Sequence, residues 1–179
     1  MRILAISGSL KGTSTNSALL RAAAALAPAG MTFTYLDRQI GELPHFSPDL
    51  DEEGATAAPA VAELRGLLSS ADGVLICCPE YAHGVPGSFK NALDWLVSSG
   101  ELSGKPVALL MASPSGAQHA WTALSPTLRV MEAELVFEAS LVLARRHLGA
   151  DGRLCDAALE AQVRRGLDAL ACAIRARPA

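Results

Sequence analysis

The chain lacks any apolar run near the roughly 20 residues that cross a bilayer, although half of its 179 residues are hydrophobic. It also lacks a basic run: 18% of residues are charged and the net charge is −3. Nucleic acid and anionic membrane surfaces are therefore excluded as expected partners, which leaves a small molecule. Met1-Arg2 leads only into a short apolar segment, too brief for the core of a signal peptide, so a cytoplasmic protein is expected. Cysteine is scarce, at 77, 78, 155 and 172, with neither a Cys-x-x-Cys nor a metal-like spacing, and no metal site is expected. Cys77 and Cys78 are neighbours in an apolar run, where strand alternation sends them to opposite faces as buried, inert thiols. Length and composition fit one α/β domain over residues 1–179, long enough for a real core.

Two nucleotide-binding loops are missing as well. No Gly-Lys-Ser/Thr ending is present to hold a β/γ-phosphate with magnesium. No Gly-x-Gly-x-x-Gly is present to admit a dinucleotide pyrophosphate. In their place the chain opens with the apolar run Ile3 to Ile6, then Ser7, Gly8 and Ser9, then Lys11, Gly12 and Thr13 before an Ala/Leu-rich helix. This reads as strand, anion-binding loop and helix, with Ser14, Thr15, Asn16 and Ser17 all able to cap the helix start. N–H groups at such a start have no partner within the helix and lie at its positive end. Hydroxyls of Ser9, Ser14, Thr15 and Ser17, the Asn16 amide and the Lys11 charge surround the same point. That is a cradle for a terminal phosphate monoester, although a well-capped ordinary connection uses the same residue types.

Strand and helix patterns alternate along the rest of the chain. A helix over about 15–27 ends at Pro28-Ala29-Gly30, and Met31 to Leu36 alternates as a second strand. Residues 37–58, with an acidic stretch at Asp49, Asp51, Glu52 and Glu53, form a connection long enough to be functional or mobile. Pro59 starts a helix to about Ser70. Val74 to Cys78 is continuously apolar, as in a central parallel strand buried on both faces. A helix over about Ser88–Val97, a strand Val107–Met111, a helix over about Gln118–Met131, a strand within Leu135–Leu143 and a helix over about Cys155–Arg175 follow.

Five strands alternating with five helices predict a doubly wound parallel sheet with helices on both faces. Ligands of such sheets bind beyond the carboxyl ends of the strands, where the winding reverses. The loops after strands one, three and four then converge on one edge. The loop after strand three carries Pro79, Glu80, Tyr81, Ala82 and His83, with Gly84, Pro86 and Gly87 beyond. Stiff prolines, permissive glycines and an amphipathic Tyr81 suit a flat heterocycle. Glu80 has no visible partner. The loop after strand four offers Ser113, Ser115 and N–H groups near Gly116 to ring carbonyl oxygens.

Gly8-Ser9-Leu10-Lys11-Gly12-Thr13-Ser14-Thr15-Asn16 resembles the Gly-Ser-Leu-Arg-x-x-Ser-x-Asn signature of the NAD(P)H-dependent FMN reductase family. Pro79-Glu80-Tyr81, Pro86-Gly87, Lys90-Asn91-Ala92 and Asp94-Trp95 resemble its second signature, and the similarity runs through Gly104-Lys105-Pro106-Val107 to the Ser-rich loop. The resemblance implies a flavodoxin-like sheet of order 2-1-3-4-5 and FMN as cofactor. It places the phosphate at Ser9, Lys11, Ser14, Thr15 and Asn16, the ribityl chain and ring along Pro79 to Ala82, and the pyrimidine edge at Ser113 to Gly116. It further implies NADPH or NADH as donor, a small acceptor (quinone, azo compound, metal oxyanion or free flavin), and a homodimer or homotetramer.

The implied mechanism is a two-step hydride shuttle through flavin that calls for no acid–base side chain. Lys11 stands where the family has Arg and loses the bidentate fork for phosphate. Ala82 and His83 replace Asn and an aromatic residue, which alters the rim of the pocket; His83 is a candidate gate or proton donor there. The Ser113-Pro114-Ser115-Gly116 loop is stiffer than the family's. Trp121, His119 and Met131 fall on the fourth helix, with core or subunit-interface roles, and Arg145, Arg146 and His147 read as a solvated turn or a contact for a 2′-phosphate. A phosphoacceptor receiver would need acidic residues after strand one. An electron-carrier flavodoxin and a flavin-binding sensor module are the remaining alternatives, and the mild charge speaks against the carrier.

Overall fold

A computed structural model describes residues 1–52 and 56–177; Glu53 of the acidic stretch lies outside them. Five strands, β1 (Arg2–Ser7), β2 (Thr32–Leu36), β3 (Gly73–Cys78), β4 (Pro106–Ser113) and β5 (Glu134–Val142), form one all-parallel sheet. Their order is β2-β1-β3-β4-β5, the flavodoxin-like arrangement. The helices are α1 (Thr15–Leu26), α2 (Pro59–Ser70), α3 (Gly87–Asp94), α4 (Gln118–Val130) and α5 (Ala157–Arg175).

Every residue of β3 and β4 is buried, because alternate side chains feed two separate cores. Leu4, Ile76, Cys78 and Leu109 pack with Leu64 and Leu68 of α2, Phe89 of α3 and Leu124 of α4. Ile3, Leu75, Cys77 and Leu110 pack on the opposite face with Leu19 and Leu20 of α1 and Leu167 and Leu170 of α5. Cys77 and Cys78 therefore face opposite ways, and burial pushes both thiols well above their ordinary range. Neither can serve as a thiolate near neutrality.

Helix α3 stops at Asp94, three residues short of the apolar pattern. Trp95 is fully buried, its carbonyl accepts from the Arg65 guanidinium at 2.6 Å, and its indole N–H donates to the Pro44 carbonyl at 2.9 Å. The Trp95 carbonyl is thus taken by a side chain of α2, and its indole by the long connection. Asn91 completes the anchor, accepting the Phe46 N–H at 2.8 Å and donating to Pro44 at 3.0 Å. The described part of the 37–58 connection is thus pinned, and not loose. Phe46 meets Trp95 edge to face at 5.2 Å.

Candidate functional site

The winding reverses between β1 and β3, and the site begins where β1 ends. Gly8 crosses the end of β3, donating its N–H to the Cys77 carbonyl at 2.9 Å. A Cβ at this position would lie 2.7 Å from Cys78 Sγ and 3.2 Å from Pro79 Cδ. Only glycine lets the first loop sit directly against the start of the second.

Within the first loop, Ser14 caps α1 by accepting the N–H groups of Asn16 and Ser17 at 3.1 and 3.3 Å. Its own hydroxyl proton remains to donate. Ser9 Oγ accepts the Lys11 N–H at 3.4 Å. The N–H groups of Gly12, Thr13 and Thr15 take no partner among the described residues. Asn16 and Ser17 are buried: Asn16 Oδ1 accepts from the Cys77 thiol at 3.0 Å, and the Ser17 hydroxyl donates to Ser7 Oγ at 3.0 Å. These two side chains hold the loop against the sheet.

Lys11, Gly12, Thr13, Ser14 and Ser17 line a cleft of about 500 Å³ that Arg38 and Arg145 also reach. Arg145 follows β5, more than a hundred residues from the loop, and nothing in the sequence links them. Arg21 borders the cleft too, held by Asp37 at 2.6 Å. Cationic side chains from three elements therefore surround the open N–H groups.

In the second loop, Tyr81 and Gly84 exchange N–H···O bonds at 3.0 and 2.9 Å. Between them Ala82 and His83 both have positive φ, 48° and 60°, as a two-residue primed turn requires. The Tyr81 ring is half exposed and its Oη lies 3.1 Å from Ser9 Oγ, joining the first loop to the second. Pro79, two residues earlier, is buried. Glu80 does have a partner: its Oε2 accepts the Ala120 N–H in the first turn of α4 at 2.9 Å, joining the second loop to the element after the third. His83 stacks on His119 of α4, centroids 4.2 Å apart and rings inclined by 16°. His119 is thus exposed at the rim of the site and not part of the core.

In the third loop Ser113 is the last residue of β4, and its hydroxyl donates to the Gly116 carbonyl. Gly116 has φ 80°, and its N–H is taken by the Ser113 carbonyl at 3.2 Å. Ala117 donates to Ser140 Oγ at 3.4 Å, and the N–H of the exposed Ser115 takes no partner among the described residues. All three loops lie at the carboxyl edge of the sheet. Together they present open N–H donors and cations at one end, an exposed aromatic in the middle and a donor-bearing turn at the far side. Such an arrangement fits a ligand with an anionic tail and a flat polar head.

Residues 1–147 match the family model described as NADPH-dependent FMN reductase. Over 98% of its length the chain is 34% identical to an NAD(P)H-dependent FMN reductase of Pseudomonas aeruginosa, of which the match covers 96%. It is 36% identical over 115 residues to a quinone reductase of Escherichia coli, covering 63% of this chain and 60% of that protein. Among solved structures, a flavoenzyme NAD(P)H:(acceptor) oxidoreductase from Paracoccus denitrificans superposes with a TM-score of 0.83 at 30% identity, covering 97% of both chains.

Proposed function

We propose, from the premise that this chain belongs to the NADPH-dependent FMN reductase family, that its three convergent loops hold FMN with the phosphate at the start of α1. The chain is an oxidoreductase that uses FMN and draws electrons from NAD(P)H. Bound FMN supplies the hydride chemistry. The protein's own task is to grip, orient and polarise.

The open N–H groups of Gly12, Thr13 and Thr15, the Ser14 hydroxyl and the Lys11 ammonium are the phosphate ligands of this reading. Ser9 and Thr15 add hydroxyl donors, while Asn16 and Ser17 keep the loop in shape. Pro79, Glu80, Tyr81, Ala82 and His83 border the ribityl chain and ring. The Ser115 N–H, with Ser113 and Gly116 shaping its turn, faces the pyrimidine edge, where donors stabilise negative charge. One observation carries the reading: unpartnered N–H groups and a lysine stand one hydroxyl bridge, Ser9 to Tyr81, away from an exposed aromatic platform.

The acceptor is a small molecule, and the quinone reductase relative makes a quinone the first candidate. Residues 1–179 act as a single domain in the cytoplasm, as a homodimer or homotetramer. No helix among the described residues is long and apolar enough to cross a membrane. Anaerobic mixing of FMN-loaded protein with NADPH or NADH tests the activity. The yellow colour should bleach and return on adding benzoquinone. Protein that stays yellow with both nicotinamides would instead be an electron carrier.

A further inference from the structure

Glu80, His83 and His119 come from two separate elements, yet one ligand-capable atom of each lies within 4.8 Å of the others. Glu80 reaches the cluster with its carboxylate already oriented: Oε2 accepts the Ala120 N–H, which leaves Oε1 free. A ligating carboxylate held by an outer hydrogen bond is the usual arrangement around a bound metal. His83 is held in place by the left-handed turn at Ala82 and His83, a backbone conformation that residues other than glycine rarely adopt. That turn stacks its ring on His119. Both imidazoles are exposed, so an ion has a route in and each ring is free to turn about its side-chain torsions.

We infer that Glu80, His83 and His119 bind one divalent transition-metal ion, of which zinc is the type, at the rim of the flavin cleft. Two imidazoles and one carboxylate match the borderline character of zinc, nickel and copper(II), and suit magnesium or calcium poorly. A tetrahedral site with ligand distances of about 2.0–2.1 Å needs ligand atoms about 3.3 Å apart. Small rotations of the two exposed rings close the gap from the present spacing. Three protein ligands leave a fourth position to water or to an oxygen-bearing molecule entering the cleft. Sequence spacing does not reveal the set, because His119 is brought to the turn only by the pairing of β3 with β4 and the start of α4.

The test is calorimetric titration of FMN-loaded, chelator-treated protein with zinc chloride, and with magnesium chloride in a parallel run. Zinc should saturate at one ion per chain, with no comparable heat from magnesium. His83→Gln and His119→Gln should each weaken zinc binding by at least roughly tenfold, while His45→Gln, at an exposed histidine elsewhere, should leave it unchanged. Copper(II) electron paramagnetic resonance gives a second readout: coupling to two imidazole nitrogens, falling to one in either glutamine variant. Circular dichroism confirms that the variants are folded. Equal zinc affinity in parent and both variants, or equal binding of magnesium, would overturn the inference. Because metal binding is read without turnover, its failure leaves the reductase reading intact, and the converse also holds.

Discussion

Gly8→Ala probes the junction on which the site is built. The added Cβ would stand 2.7 Å from Cys78 Sγ, 3.2 Å from Pro79 Cδ and 3.3 Å from Cys78 Cα. Favourable contacts between such atoms lie near 3.5–4.0 Å, so the first contact is short by about an ångström. Cys78 is wholly buried and has one side-chain torsion, so its sulfur has nowhere to swing. Overpacking of this kind costs about 1–3 kcal/mol. In a chain of this size that lowers Tm by about 2–12 °C. The first loop must also lift from the second, stretching the Ser9 to Tyr81 bridge and weakening FMN binding. Differential scanning calorimetry and fluorescence titration with FMN read the two effects. Adding Cys78→Ala removes the shortest contact but leaves Pro79, so a double-mutant cycle should show partial recovery and a clear coupling energy. A Gly8→Ala protein with parental Tm and parental FMN affinity would refute the close approach of the two loops.

Three further outcomes follow from the same structure. Tyr81→Phe deletes the hydroxyl bridging to Ser9 and should cost about 0.5–1.5 kcal/mol in FMN binding with little change in Tm; a larger loss in Tm than in affinity would contradict the bridge's role. Asn91→Ala orphans the Phe46 N–H and should destabilise the fold by about 1–3 kcal/mol in urea melts, and a shift under half that range would sink the anchoring account. Hydrogen bonds from the Arg2 side chain and backbone hold the Asp72 carboxyl below its usual value of 3.8, and those from Ser98 and Arg65 do the same for Asp51. A depressed folded value stabilises the protein fully above the unfolded one and loses that contribution as pH falls through the folded value. Tm should therefore hold near neutrality and drop below about pH 4, with a shallower drop in Asp72→Asn; identical acid slopes would contradict the assignment.

Much of the architecture was legible because it depends on local pattern. Val74 to Cys78 has no polar residue to face solvent, so a doubly covered central strand was its natural reading. Ser14 and Pro59 mark helix starts through backbone chemistry that needs no tertiary context. Chain order alone put the loops after β1, β3 and β4 at one edge. What stayed hidden depends on distant pairs. The early end of α3 follows from Arg65 capturing the Trp95 carbonyl. Arg145 reaches the anion cleft from beyond β5. Glu80 looked unpartnered because its donor, the Ala120 N–H, lies forty residues on. His119 shared its apolar helix with Trp121 and gave no sign of facing His83. Asn16 and Ser17, chosen as donors for their residue type, also tie the loop to the sheet through Cys77 of β3 and Ser7 of β1, contacts between residues far apart in sequence.

The central claim, that the loop between β1 and α1 grips the phosphate of FMN, is tested most directly by comparing FMN with riboflavin, which carries the same ring and ribityl chain without the phosphate. Charge-assisted hydrogen bonds contribute about 1.5–3 kcal/mol each, and two of them predict that FMN binds at least about a hundredfold more tightly, with most of the difference lost in Lys11→Ala combined with Ser14→Ala. Equal affinity for the two flavins in the parent protein would contradict the account.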